Sequence, residues 1–588
     1  MKKTMKKVVA MTLALTSCAS MLVGCKTKVP DDANTLQIYI GNFGYGIEWL
    51  NAMIEGFKGE AWVQEKYPEL NIPDIDFNSE KMYAIDQINS GSTTVDLWFS
   101  TAGAGADLVK KNASGVSNYE NLNDLFATKI PGEGEMTVAG KMQENFLQSC
   151  DYGNKEEVIG DITTEYMHFP WVAGYIGLIY NETLVKEWLG DDFEMPLTTD
   201  ALIDMAETLN GTHYDEATGQ YVPNTQKNGK NAPKTFALSY TTDYWSCFFN
   251  TWWAQYSGFE TVQNFGNGKV KSGLGWMMSP DIVKDEGRLE TLKVMEDCLW
   301  YAKTSKHENS AENENTYNYI HSQTNSLSFD KIQARFRNGE AFFMMNGDWL
   351  EMELGGSTGS NTFKFLKTPI ISSIVETMEL YTDDGTKYTD LDATKRAAYD
   401  TQLKAIVRAV DAGATELAGV SANDFKKVKE ARGYVTTVGG HYAYIPSYAT
   451  AKDLAKDFLL YMASNEAIEI FMNTEKGAST AFNYALDENT SMYNNFSAFQ
   501  KSRIDIVKNG QYTNVGAPSR LTYYGGLAVI TKNNPLESRF VSQLATDRKK
   551  AQTIFDDDII HFTGLNSKGE GTYNTTNWDL LLTNAGLN

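Results

Sequence analysis

The sequence predicts an α/β protein of more than one domain-sized unit, and three observations carry that reading. Apolar segments alternate as strand, helix, strand, helix, strand between Leu36 and Phe99. A second strand-then-helix passage follows a Pro-Trp corner at Pro170 and Trp171. The chain has 588 residues, and length alone suggests about three or four domain-sized units.

The front end comes before any of this. Lys2, Lys3, Lys6 and Lys7 precede an apolar and small-residue run from Val8 to Gly24, the charge and length pattern of a secretory signal spanning residues 1–24. The run is shorter than the ~20 residues a spanning helix needs. Its end, "LVGC", resembles a bacterial lipobox, with Leu22, Gly24 and then Cys25. The resemblance implies cleavage before Cys25 and a lipid on its thiol; two or three acyl chains anchor stably where one is marginal. An ordinary secretory signal with an incidental cysteine is the alternative. Residues 25–35 are otherwise polar, with Pro30, Asp31 and Asp32, and read as a tether.

After the tether, Leu36–Ile40 alternates like a strand, and "GNFGYG" follows as a glycine-rich loop. Ile47, Leu50, Ile54 and Phe57 then fall at helical spacing. Asp74–Phe77 and Val95–Phe99 are further strands, with a short helix at Lys81–Ile88 between them. This order means a parallel sheet, whose ligand sites lie at the carboxyl ends of its strands. Those ends are "GNFGYG" and "STAGAG" (Ser100–Gly105). Neither has the spacing of a phosphate-binding loop.

Composition narrows the function. There are 52 basic and 75 acidic residues; without the four lysines of residues 1–24 the balance is 48 against 75, or −27. Such a charge argues against nucleic acid and against a helix lying flat on an anionic membrane. Besides Cys18 and Cys25, three cysteines remain, Cys150, Cys247 and Cys298, too few for a disulfide framework in so long an exported chain.

The passage "YMHFPWVAGYIGLIYNETLVKEW" (Tyr166–Trp188) and the helix start "PLTTDALIDMAETL" (Pro196–Leu209) resemble the segment by which extracellular, family 1-type sugar-binding proteins of bacterial ABC importers cross from one lobe to the other. Blocks in the same order follow: "AQYSGFE", "ARFRNGEAFFMMNGDWLEMEL", "FKFLKTPIISSI" and "AKDLAKDFLLYMASNEAIEIF". The likeness covers most of Leu36–Tyr484. Thr199 stands where the family often has Trp, "YTDDGTKYTDLD" (Tyr381–Asp392) reads as an inserted hairpin with helices after it, and the region after Thr490 does not align. The resemblance implies a two-lobed, hinge-linked periplasmic-binding-protein-like fold with the ligand cleft between the lobes. Residues 36–172 and about 443–490 would form the first lobe, and residues 173–442 and about 491–588 the second. Crossings are expected near Trp171–Ile176 and Thr436–Pro446.

What this implies functionally is a monomeric, lipid-anchored solute-binding protein that passes an oligosaccharide to permease subunits, with no catalytic residues, cofactor or metal. A pocket for sugar needs flat aromatic walls and groups that satisfy hydroxyls. Trp349, after the Asn-Gly-Asp turn that includes Asp348, is the position the family commonly stacks on sugar; a tryptophan buried beneath the following helix is the alternative. Asn42, Phe43 and Tyr45 are chosen at the end of the first strand. Trp245, Trp252 and Trp253 come from the densest aromatic stretch, Tyr244–Tyr256, whose two helical stripes are broader than one core face; burial in the core is the alternative for each ring. A glycan-active enzyme or adhesin is the competing class. "GGSTG" (Gly355–Gly359) formally matches a hydrolase elbow but lacks the strand before it and the helix after it. "DDG" at Asp383–Gly385 and "DDD" at Asp556–Asp558 lack the spaced ligands of a calcium loop and read as solvated acidic turns, with calcium the alternative; His441 reads as a hydrogen-bonded structural histidine, with a ligand contact the alternative.

Overall fold

The computed structural model describes residues 31–585 apart from 42–43, 79–82, 102, 154–163, 216, 219, 224–233, 238–241, 274, 300–328, 356–358, 384, 439–440, 476–477, 509, 513–542, 545–548 and 564–574. The signal, Cys25 and most of the tether lie outside the described residues, as do Asn42, Phe43 and the centre of Gly355–Gly359.

The first strands are β1 (Ile38–Gly41), β2 (Asp76–Asn78), β3 (Leu97–Ser100), β4 (Phe169–Pro170) and β5 (Gly174–Asn181). Next come β6 (Thr212–Asp215), β7 (Gln220–Pro223), β8 (Lys234–Ala237), β9 (Lys269–Ser272) and β10 (Gly275–Met278). The series closes with β11 (Ala341–Gly347), β12 (Phe363–Leu366), β13 (Tyr434–Val438), β14 (Tyr442–Tyr444) and β15 (Gln511–Tyr512).

Two sheets organise two lobes. The first has the order β2-β1-β3-β14-β4. β1 runs parallel to β2 and β3, as the strand-helix alternation requires, and β14 runs antiparallel to β3 and β4. The second has the order β15-β13-β5-β11-β8. All of β5 is buried, which fits the unbroken apolar run of its sequence. One edge of β5 pairs with β11; the other is shared, β13 taking Gly174–Ile176 and β12 taking Leu178–Asn181. The hairpins β6–β7 and β9–β10 stand apart. Two separate sheets with helices packed on them make this a two-lobed α/β architecture.

Among the described residues the chain passes between the sheets three times. The first passage, 171–173, joins β4 to β5, and the second falls between the end of β13 and the start of β14. A third opens at Ser479, which pairs with Ala173, and ends in the helix Ala498–Val507 packed on β12. β14 begins at Tyr442, one residue before the boundary expected for the first lobe. Between β1 and β2, the helix Glu48–Gly59 buries Trp49, Leu50, Met53, Ile54 and Phe57. That apolar stripe lies against the helix Asn465–Thr474.

Two local expectations are corrected. Tyr381–Asp392 is not a hairpin: the Tyr381 hydroxyl donates to Thr386 O (2.6 Å), Tyr399 donates to Asp383 (2.9 Å), and a 3-10 turn covers Tyr388–Asp390. Side-chain bonds replace the strand ladder there. The helices expected after it are present, Ala393–Asp411 and Ala422–Gly433. Asp556–Asp558 is not a turn either. It lies within the helix Ala551–Thr563, and Asp558 pairs with the buried Arg288 at 2.9 Å.

His168, just before β4, is 1 % exposed, and neither ring nitrogen finds a hydrogen-bond partner among the described residues. Tyr442 (4.7 Å, 83°), Tyr152 and Tyr444 surround it edge-on. Burial holds its pKa down at about 3. An unfolded imidazole protonates below ~6.5, and the folded one resists until about 3. The unfolded state therefore gains the proton first. Stability is complete above ~6.5 and falls by about 1.4 kcal/mol per pH unit below it, or about 2 kcal/mol by pH 5. Urea midpoints at pH 7.5 and 5 should diverge less for His168→Phe than for the parent. An equal divergence would mean that this imidazole is solvated or paired in solution.

Candidate functional site

β1 delivers its carboxyl end to Gly44 and Tyr45, and β11 delivers its own to Asp348 and Trp349. The two ends meet across the lobes. The Tyr45 hydroxyl donates to Asp348 Oδ1 at 2.8 Å, and the Tyr45 and Trp349 rings lie 6.1 Å apart at 80°. β11 is buried along its whole length, and its end is held by Gly347 N donating to Asn346 Oδ1 at 2.7 Å. Asp348 N then donates to Tyr175 O at 2.9 Å. Trp349 opens the short helix Leu350–Glu353 as its N-cap residue.

Trp349 is 7 % exposed. Three glycines form the slot around its indole. A Cβ on Gly44 would lie 3.1 Å from Cδ1, one on Gly174 would lie 3.2 Å from Cζ3, and one on Gly347 would overlap the six-membered ring. Gly44 comes from the first lobe, Gly174 and Gly347 from the second. Below the slot, Trp171 stacks on Trp49 (4.4 Å, 17°) and meets His441 edge-on at 5.3 Å. Trp171 is thus a packing group at the first crossing. His441 is buried against Tyr45 and Trp171, and its carbonyl accepts from Trp171 N at 3.4 Å.

The charge at this seam is a buried pair. Arg503 Nε donates to Asp348 Oδ2 at 3.1 Å, with both side chains under 5 % exposed. Burial raises the Asp348 carboxyl above the ordinary aspartate range, while Arg503 and Tyr45 pull it back. The Tyr45 phenol is raised well above its ordinary value by burial and by the Asp348 charge, so it stays a donor. An aromatic slot, a phenol and a carboxylate thus converge where the two lobes touch. In this arrangement all three side chains are enclosed, Tyr45 at 1 % and Trp349 at 7 % exposed; with the lobes apart, such a set can stack on an apolar face and hydrogen-bond to hydroxyls.

Of the residues chosen from sequence, Tyr45, Asp348 and Trp349 come together here. Asn42 and Phe43 immediately precede Gly44 and lie outside the described residues, as does the side chain of Trp245. Trp252 and Trp253 are elsewhere, and their expected role is corrected. They are 1 % and 2 % exposed. Trp252 Nε1 donates to Pro369 O (3.0 Å) and Trp253 Nε1 to Asp285 (2.5 Å). Their helix, Thr242–Ser257, is enclosed by β13, the helix Glu286–Leu299 and the inserted helix Ala422–Gly433. Phe249, Trp252, Trp253 and Tyr256 are all buried because more than one side of the helix is covered.

Sequence reasoning missed Arg503 and Ser479. Arg503 lies in the region that does not align, but it left one signal. With Phe499 and Ile506 it completes an i, i+4, i+7 stripe, and all three are buried. A charge on such a stripe needs a buried partner. Among the described residues no group of three His, Cys, Asp or Glu could hold a metal ion. Among them too, no helix is long and apolar enough to cross a membrane. Cys150 and Cys298 are both buried, and burial pushes the Cys298 thiol upward; the side chain of Cys247 lies outside the described residues.

No family model matches the chain, and no curated protein does. Among solved structures it is similar to one from work on xylan utilization by the thermophilic bacterium Caldanaerobius polysaccharolyticus, at 12% identity, covering 89% of this chain and 98% of that one, TM-score 0.49. It is similar to a chitin oligosaccharide binding protein, at 12% identity, covering 89% and 97%, TM-score 0.49. It is also similar to maltose-bound MalE3 of T. maritima, at 13% identity, covering 90% and 100%, TM-score 0.49.

Proposed function

We propose that this chain is a lipid-anchored solute-binding protein that takes an oligosaccharide into the cleft between its lobes and delivers it to the permease of an ABC importer. The observation that carries the reading is the seam itself. Tyr45 of one lobe bonds Asp348 of the other at 2.8 Å, beside the Trp349 indole. That contact can form only when the two lobes approach. It also lies at the carboxyl ends of β1 and β11, where open α/β sheets take ligands. The ordered sequence blocks support the transport class, and "LVGC" at Leu22–Cys25 supports the anchor. Sugar rings would enter against Tyr45 and the outer edge of Trp349, with Asn42 and Phe43 on the adjoining loop.

One experiment tests both halves. Cells making the parent or Cys25→Ala chain are fractionated, and each fraction is assayed against maltotetraose, cellotetraose, xylotetraose and raffinose. The parent should bind one of these as a one-to-one complex in the membrane fraction and return the sugar unaltered. Cys25→Ala should move the same binding to the soluble fraction. Cleaved sugar would favour the enzyme reading, and equal membrane retention of both chains would remove the lipid.

A further inference from the structure

Arg503 is 1 % exposed and takes no part in the ligand contacts proposed above. Its donors reach three separate passages of the chain. Nε goes to Asp348 Oδ2 (3.1 Å), Nη2 to the Ala173 carbonyl (3.1 Å) and Nη1 to the Ser479 hydroxyl. Ala173 belongs to the first crossing and Ser479 opens the third. The two are also tied directly, Ala173 N donating to Ser479 O at 2.8 Å. Asp348 in turn accepts from Tyr45 of the first lobe through its other oxygen. One guanidinium thus joins two of the three crossings to a carboxylate that spans the lobes.

A guanidinium is planar and its donors form a rigid fork, so fixing two partners fixes the direction of the third. At this burial water cannot replace any of them. We propose that Arg503 is a positioning residue for lobe closure: it aims the Asp348 carboxylate at Tyr45 when the first and third crossings hold the closed arrangement. Arg503 then sets the closing equilibrium without touching ligand. The inference rests on the reading that ligand enters between the lobes.

The test is a double-mutant cycle of R503K and Y45F in the full chain, read in two ways. Hydrogen exchange at the Asp348 and Ala173 amides needs no ligand. Calorimetry with whichever of the four sugars binds the parent measures affinity. Lysine keeps the charge but not the fork. R503K and Y45F should each speed seam exchange and weaken binding by about tenfold, within the range that coupled polar contacts give. The double variant should be no worse than R503K. Multiplied effects in the double variant would overturn the proposal, since Arg503 and Tyr45 would then act independently. Parent-like exchange in R503K would overturn it too. If the parent binds none of the four sugars, the ligand reading fails and the exchange cycle alone decides. Ser479→Ala, which removes one arm of the fork, takes the place of R503K if that variant does not fold.

Discussion

An Asp348→Ala variant should lose about 3–5 kcal/mol of folding stability, because it removes the carboxylate bonded to a buried guanidinium. The Asp348 and Arg503 side chains are 4 % and 2 % exposed. The contacts described for Arg503 that would remain are to the Ala173 carbonyl and the Ser479 hydroxyl, both neutral acceptors. Neither offsets the desolvation of a guanidinium. The Tyr45 hydroxyl loses its acceptor in the same substitution. Asp348→Asn keeps the shape and one acceptor oxygen, and should cost roughly 1.5–3 kcal/mol. Replacing the pair together, Asp348→Leu with Arg503→Met, should recover part of the loss, since an apolar pair needs no compensation. Urea unfolding at pH 7.5 measures all three. A loss under about 1 kcal/mol in Asp348→Ala would mean that water reaches Arg503 and that the seam stands open in solution.

The legible part of this molecule is the part with local periodicity. The alternation from Leu36 to Phe99 gave β1, β2 and β3 within two residues, because a short buried strand in a parallel sheet is a bounded apolar run. The "NGD" turn marked the end of β11, since Asn and Gly mark turns at strand ends. What stayed hidden depends on contacts remote in sequence. Trp252 and Trp253 read as surplus to one core face because the second covering element, Ala422–Gly433, begins some 170 residues later. Arg503 lies 155 residues from Asp348 and 330 from Ala173, so its partners could not be named even though its place on a buried stripe called for some. His168 gave no signal at all. Tyr442 and Tyr444, two of the three rings around it, are brought beside β4 by β14, more than 270 residues later in the chain.

Trp349→Ala should be the costliest aromatic substitution at the seam, at about 3–5 kcal/mol in the sugar-free protein. Two of the three glycines that wall its indole, Gly174 and Gly347, lie at facing ends of β5 and β11 in the second lobe. That part of the slot persists whether the lobes are open or closed, so the cavity left by alanine is present in both states. Gly44 is the third wall, and it comes from the first lobe. Its contribution exists only on closure. Gly44→Ala therefore separates the two roles of the indole. Its backbone is not in the left-handed region, so alanine is tolerated there, and its Cβ would stand 3.1 Å from Trp349 Cδ1 and 3.2 Å from a Glu353 oxygen. That is tight enough to require a shift of a few tenths of an ångström as the lobes close. Gly44→Ala should keep the parent melting temperature in the absence of sugar within ~0.5 kcal/mol of stability, yet weaken sugar binding. Trp349→Ala should lower that melting temperature sharply. The opposite pattern, with Trp349→Ala stable and binding lost, would return Trp349 to the role of an open stacking wall, and would mean that the indole leaves its glycine slot when the lobes part.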